Sequence, residues 1–251
     1  MASKADTETE NPLQKFQTSD PQTRRSVLFG WLDFAKTPIG VSRLKEILHQ
    51  VLKVDHEKPF LTMMWAAMAD AGCAVDVEKH ITFQPCNPEL NMAGLFDPTI
   101  NKIILCQNVF QSMSSDDMRA SHMKHVLTHE LIHAYDTCRA DVDFMNNHKH
   151  KMCGEVRAAA LSGECMFKYR SVSSTLAGFK SAHQKCVRSH ALGSFMAEHP
   201  SMNKSEANKI ADEVFTSCYN DHEPFDRLPL SDKHAQLSFK AYLTRHRYSM
   251  E

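Results

Sequence analysis

The sequence has no run of 18 apolar residues, so nothing in it reads as a membrane-spanning helix and any bilayer association is expected to be peripheral. It has no Cys-x-x-Cys pair, which argues against a small structural zinc module and against thioredoxin-like chemistry. It has no charge excess: 29 basic and 30 acidic side chains give a formal net charge of −1. That excludes an overall nucleic-acid or anionic-membrane footprint. Repeats and low-complexity tracts are absent, and glycine is scarce, at 8 of 251 residues. Met1–Glu10 lacks the apolar segment of a secretory signal and is too acidic for a matrix-targeting presequence.

What is present is an ordinary globular composition, 42% apolar, in a chain long enough to bury a substantial core. Residues 1–23 are polar and are expected to be disordered, leaving 24–251 as the folded domain. The eight cysteines Cys73, Cys86, Cys106, Cys138, Cys153, Cys165, Cys186 and Cys218 suit up to four disulfides. Eight reduced, buried thiols in a cytosolic protein are the alternative.

Chemistry concentrates in Thr128–Arg139, THELIHAYDTCR, which contains the H-E-x-x-H pattern His129-Glu130-Leu131-Ile132-His133. Histidines four apart lie on one helix face, about one turn from each other, and can converge on one metal ion. Glu130 beside them suits activation of a water rather than metal binding. Two imidazoles and one carboxylate around an open position are a zinc set. With 15 histidines in the chain, a chance match on a solvated helix must be weighed. The flanks argue against chance. Ser114-Ser115-Asp116-Asp117 is a helix start, and Met123, Val126, Leu127, Leu131 and Ala134 form an apolar stripe at helical spacing.

Glu155 is the expected third ligand. It lies 22 residues after His133, room for a loop and a return, and is followed by small alanines that allow close helix packing. His148, His150, His222 and Glu223 are the competitors. Asp136, three residues beyond His133, is expected to hold an imidazole from behind.

Along the chain, Arg24–Lys36 reads as a short amphipathic helix, packed in the core or touching a membrane or partner. Val41–Val51 and Phe60–Ala71 have helical spacing, the second ended by Gly72. Ile81–Cys86, Met92–Phe96 and Lys102–Cys106 read as a small antiparallel sheet just before the metal helix. An edge strand there could hold an extended peptide, or be a plain structural hairpin. Arg139–Lys151 reads as a loop and Glu155–Tyr169 as the second site helix, interrupted at Ser162-Gly163. Further helices are expected over Thr175–Glu198 and from a cap at Ser205 to Cys218, and Ser238–Tyr248 reads as a solvated basic helix.

THELIHAYDTCR followed by GEVRAAALSGEC (Gly154–Cys165) resembles the mitochondrial inner-membrane metalloprotease family that processes and assembles ATP synthase. GCAV (Gly72–Val75), LCQN (Leu105–Asn108), KCVR (Lys185–Arg188) and VFTSCYNDHEPFDRLP (Val214–Pro229) agree, and the resemblance runs from about Phe60 to the C-terminus. It implies zinc on His129 and His133, catalysis by Glu130, and residence in the intermembrane space, peripheral to the inner membrane, where cysteines are oxidised. It implies polypeptide substrates: a mitochondrially encoded ATP synthase membrane subunit precursor, or other intermembrane-space proteins. It also implies assistance to ATP synthase assembly that needs no proteolysis, so a non-proteolytic assembly chaperone with a structural metal helix is the rival reading. The family pattern carries cysteines near Phe83 and Phe110, and two missing together suit one lost disulfide. Through the family, Asn220–Pro229 is expected to fold over the site.

The fold expected is α+β and mostly helical, a zincin-like metalloprotease core with a small antiparallel sheet and disulfide-linked helices.

Overall fold

The computed structural model describes residues 40–54, 59–90, 92–166 and 176–245. The stretch 1–23, the domain boundary at 24 and the segment Arg24–Lys36 lie outside them.

Helices α1 (Val41–Val54) and α2 (Phe60–Asp70) come first, then a short α3 (Val77–His80). Strands β1 (Ile81–Gln84), β2 (Gly94–Asp97) and β3 (Lys102–Cys106) form one sheet in the order β1-β3-β2. A one-turn α4 (Gln107–Gln111) leads to α5 (Asp116–Arg139), the long helix that carries the histidine motif. Then come α6 (His148–Leu161), α7 (Leu176–Glu198), α8 (Lys204–Asn220) and α9 (Asp232–Leu243). The fold is mostly helical, as expected.

The sheet differs from the antiparallel expectation. β2 and β3 are an antiparallel hairpin turned by Asp97, whose carboxylate accepts from Thr99 N and Oγ1. β1 runs parallel to β3 on its other side. The order places β3 between the other two, so that β2 docks on the side of β3 away from β1. β2 is therefore an edge strand, and it lies against α5. Phe83 and Phe110 are both buried and meet edge to face with ring centroids 6.4 Å apart.

α5 starts where the sequence placed it. Ser115 caps it, its side chain accepting from Met118 N, with Asp116 and Asp117 in the first turn. All five stripe residues are buried. α6 begins two turns earlier than read, with Asn147 as its cap, so His148 and His150 are helical rather than in a loop. α8 is capped by Asn203, not Ser205. α6 packs on α5, α7 and α8, and Met152, Val156, Ala158, Ala159, Ala160 and Leu161 are all buried.

Four disulfides use all eight cysteines. Cys73–Cys138 ties the turn after α2 to the end of α5, and Cys86–Cys106 braces the sheet. Cys153–Cys218 joins α6 to α8, and Cys165–Cys186 joins the turn after α6 to α7. No helix of the described residues is long and apolar enough to cross a membrane.

Candidate active site

His129 and His133 sit one turn apart on the buried face of α5, and Glu155 comes to meet them from α6. Glu155 Oε2 lies 3.3 Å from His129 Nε2, and Glu155 Oε1 lies 3.4 Å from His133 Nε2. One donor atom from each of the three fits within 4.8 Å of the others. Glu155 is 1% exposed, and its Oε2 has no hydrogen-bond partner. A buried carboxylate between two imidazole nitrogens, with one oxygen left without a partner, is a costly arrangement that a cation relieves. The donor set, two nitrogens and one carboxylate oxygen, is one that zinc favours. Among the described residues the other convergent group is Cys165, Cys186 and His190, whose cysteines are consumed by their disulfide.

Charge around the three is strongly organised. Burial opposes protonation of His129, but the carboxylates of Glu164 and Glu155 outweigh it and raise its pKa well above the usual value. His133 is pushed down to about 3, chiefly by burial. Burial would raise Glu155, yet Lys151 and the imidazoles overturn this and hold it well below the usual carboxylate range. The chain thus holds His133 neutral and Glu155 ionised, the forms that bind a metal, while a cation at the site would have to displace the proton that the carboxylates favour on His129.

Glu130 is 7% exposed, next to His129 on α5, and burial lifts its carboxyl to about 7. β2 touches it. A Cβ on Gly94 would stand 2.6 Å from Val126 Cγ1 and 3.2 Å from Glu130 Oε1, so glycine lets the edge strand reach the carboxylate.

The residue that holds an imidazole from behind is Glu164, not Asp136. Glu164 Oε1 accepts from His129 Nδ1 at 3.0 Å and its Oε2 accepts from His190 Nδ1 at 2.9 Å. Gly163, at φ +86°, turns the chain after α6 and presents Glu164. The sequence signal was there: an acid immediately after the helix-breaking glycine of Ser162-Gly163.

Asp136 is buried, but it faces arginines. It accepts from Arg157 Nε at 2.9 Å and from Arg139 Nε at 2.9 Å. A fully buried guanidinium from α6 outcompetes a neutral imidazole for a carboxylate. Arg157 also donates to the backbone carbonyls of Asp221 and Glu223, and Arg139 pairs with both of those side chains. The segment Asn220–Pro229 is therefore buckled to the C-terminal end of α5 and lines no part of the cavity over the site. The other competitors are also otherwise engaged. His148 packs on the rings of Phe195 and His199, and His150 Nδ1 accepts from Asp143 N.

The site opens into a cavity of about 860 Å³ between β2 on one side and α6 and α7 on the other. Glu130, His129, His133, Glu155 and Lys151 are on its floor and walls, and the edge strand Gly94–Asp97 runs along it.

No solved structure matches the chain. Several known proteins do. It is 40% identical over 199 residues to the human "Mitochondrial inner membrane protease ATP23 homolog", covering 79% of this chain and 76% of that one. The Xenopus laevis protein of the same name is 40% identical over 232 residues, covering 88% and 94%. The Aspergillus niger "Mitochondrial inner membrane protease atp23" is 37% identical over 136 residues, covering 54% of each chain. The model of the peptidase M76 family matches residues 45–226, which include both site helices, and the chain belongs to that family.

Proposed function

We propose that the protein is a zinc-dependent endopeptidase of the mitochondrial intermembrane space, peripheral to the inner membrane, with a zincin-like core. Its substrates would be an ATP synthase membrane subunit precursor or other intermembrane-space polypeptides, and it would assist assembly of the ATP synthase membrane sector. The observation that carries the chemistry is the convergence of His129, His133 and Glu155 beside a buried Glu130. The mitochondrial inner membrane rests on the names of the relatives, and the intermembrane space and the substrate on the resemblance of the motifs.

His129 Nε2, His133 Nε2 and a Glu155 oxygen would hold the metal. Zinc bound there supplies Lewis acidity toward a peptide carbonyl and toward water. Glu130 takes the proton from the attacking water and then delivers it to the leaving amine as the C–N bond breaks. A carboxyl at about 7 can both accept and give a proton near neutrality. The outer edge of β2 would hold an extended peptide by backbone hydrogen bonds, with its carbonyl near Glu130.

The test compares purified oxidised protein with Glu130→Gln on the ATP synthase subunit precursor and on an unfolded intermembrane-space protein. The expected result is loss of cleavage in the variant with zinc and fold retained, and retention of any assembly activity. Equal cleavage by both would overturn the role of Glu130. No cleavage by either would leave the chaperone reading.

A further inference from the structure

Among the described residues that line the cavity, Lys151 is the one lysine or arginine. Its position is unfavourable on three counts. It is 7% exposed, and lysine is almost never buried without a partner. It stands in the N-terminal turn of α6, where the helix dipole repels a cation. It also precedes Glu155 by four residues, the weaker orientation for a helical ion pair. Glu198 is its mirror image: an acid at the last position of α7, where the dipole repels an anion. Helix energetics explain neither residue. The contacts do.

Lys151 Nζ is 2.7 Å from Glu198 Oε1 and 3.0 Å from Glu155 Oε1. Its ammonium also lies 5.8 Å from the centre of the Phe144 ring, which contacts the His133 ring edge-on. Glu155 therefore has two unlike oxygens. Oε1 is engaged by the Lys151 ammonium at 3.0 Å and also stands 3.4 Å from His133 Nε2. Oε2 is buried, has no hydrogen-bond partner and faces His129 Nε2.

We infer that Glu198, acting through Lys151, fixes Glu155 as a one-oxygen metal ligand. The inference rests on the metal centre proposed above. An unrestrained carboxylate can close on an ion with both oxygens. With Oε1 drawn to Lys151, Oε2 is the oxygen left without a partner to bind the ion, and a coordination position stays open for chemistry. Lys151 is thus a positioning residue, acting on the metal through Glu155.

The full oxidised chain would be loaded with Co²⁺ in place of zinc and its visible absorption recorded for wild type, Lys151→Met and Glu198→Gln, since band intensity reports coordination geometry. Wild type is expected to show the intense bands of a four-coordinate ion. Lys151→Met should bind cobalt yet lose intensity toward a five-coordinate spectrum, and Glu198→Gln should shift the same way to a smaller extent. Wild-type spectra from both variants would overturn the inference. Should Lys151→Met not fold, Glu198→Gln carries the test alone, and an unchanged spectrum refutes it. A wild-type chain that takes up no cobalt overturns the metal centre and this inference together.

Discussion

Removing Glu164, which touches His129 but is not among the proposed donors, should weaken zinc binding at the proposed centre. The carboxylate makes two contacts, to His129 Nδ1 at 3.0 Å and to His190 Nδ1 at 2.9 Å. The first fixes the His129 ring and its tautomer, so that Nε2 is the atom turned toward Glu155. Loss of such a partner costs about 10–100-fold in metal affinity, or about 1.4–2.8 kcal/mol. Glu164 is 20% exposed at its side chain, so water can replace part of the bond, and the lower half of that range, about 10–30-fold, is expected for Glu164→Ala. Glu164→Gln keeps an acceptor but loses the charge, and should fall between wild type and alanine. His190→Ala leaves the His129 contact intact and should change affinity about twofold or less. The assay is competition for zinc with a chromophoric chelator at neutral pH, on oxidised protein. Glu164→Ala within about twofold of wild type would refute the reasoning. So would a His190→Ala loss as large as that of Glu164→Ala.

Asp136→Ala leaves Arg157, 2% exposed, with no carboxylate at its Nε. Arg157 keeps Asp221 Oδ1 at 2.6 Å as its remaining carboxylate, so the loss is that of a charged hydrogen bond and should cost about 1.5–3 kcal/mol, read from the urea midpoint, with zinc affinity of the folded fraction unchanged. Serine at both Cys153 and Cys218 opens a loop with a sequence separation of 65 and should cost about 4 kcal/mol, against about 3 kcal/mol for Cys86 and Cys106 with a separation of 20. The first pair should also lower zinc affinity, because Cys153 is two residues from Glu155. The metal-free protein should carry the signature of Glu130 in its pH dependence. Its carboxyl titrates near 7 when folded against an ordinary 4.5, so folding favours the protonated form. The stabilisation is present below about 4.5 and is lost as pH rises through about 7. In chelator, Glu130→Gln should therefore gain on wild type by up to about 3 kcal/mol between pH 5 and pH 8. Parallel stability curves for the two would contradict this.

The metal helix was legible in the sequence because several local signals agree there: a serine cap, two acids in the first turn, and a buried stripe under His129 and His133. That Glu155 comes back to meet His129 and His133 was legible from spacing and from the alanines that let α6 come close. The start of α6 was not. His148-Lys149-His150-Lys151 looks like solvated loop, yet His148 and Lys151 line a cavity, a polar environment that is not bulk solvent. Asp136 was misjudged because spacing places a residue on a helix face but does not say what arrives opposite it, and Arg157 arrives from α6. Glu164 was missed because it follows the end of the helix, and periodicity carries no information past a left-handed turn. Strand direction in the sheet was unreadable for a similar reason. Alternation marks a strand, while the parallel pairing of β1 with β3 depends on a connection that local pattern does not specify.

The proposed metal donors, the proton-transfer residue Glu130 and the partner of His129 all lie between His129 and Glu164, in two consecutive helices and the turn after them. Such a unit invites excision as a minimal peptide. The burial of α6 argues against it. From Met152 to Leu161 only Cys153 escapes full burial, so this helix has no wet face to leave in water. Cut free of α7 and α8, it would expose apolar surface on sides that α5 cannot cover, and lose Glu198 and the anchor at Cys218. A fragment spanning 116–166 would carry all the donors and fail to hold them together. The chemistry is contiguous in the chain but not autonomous, and grafting it elsewhere would require carrying along the walls as well as the ligands.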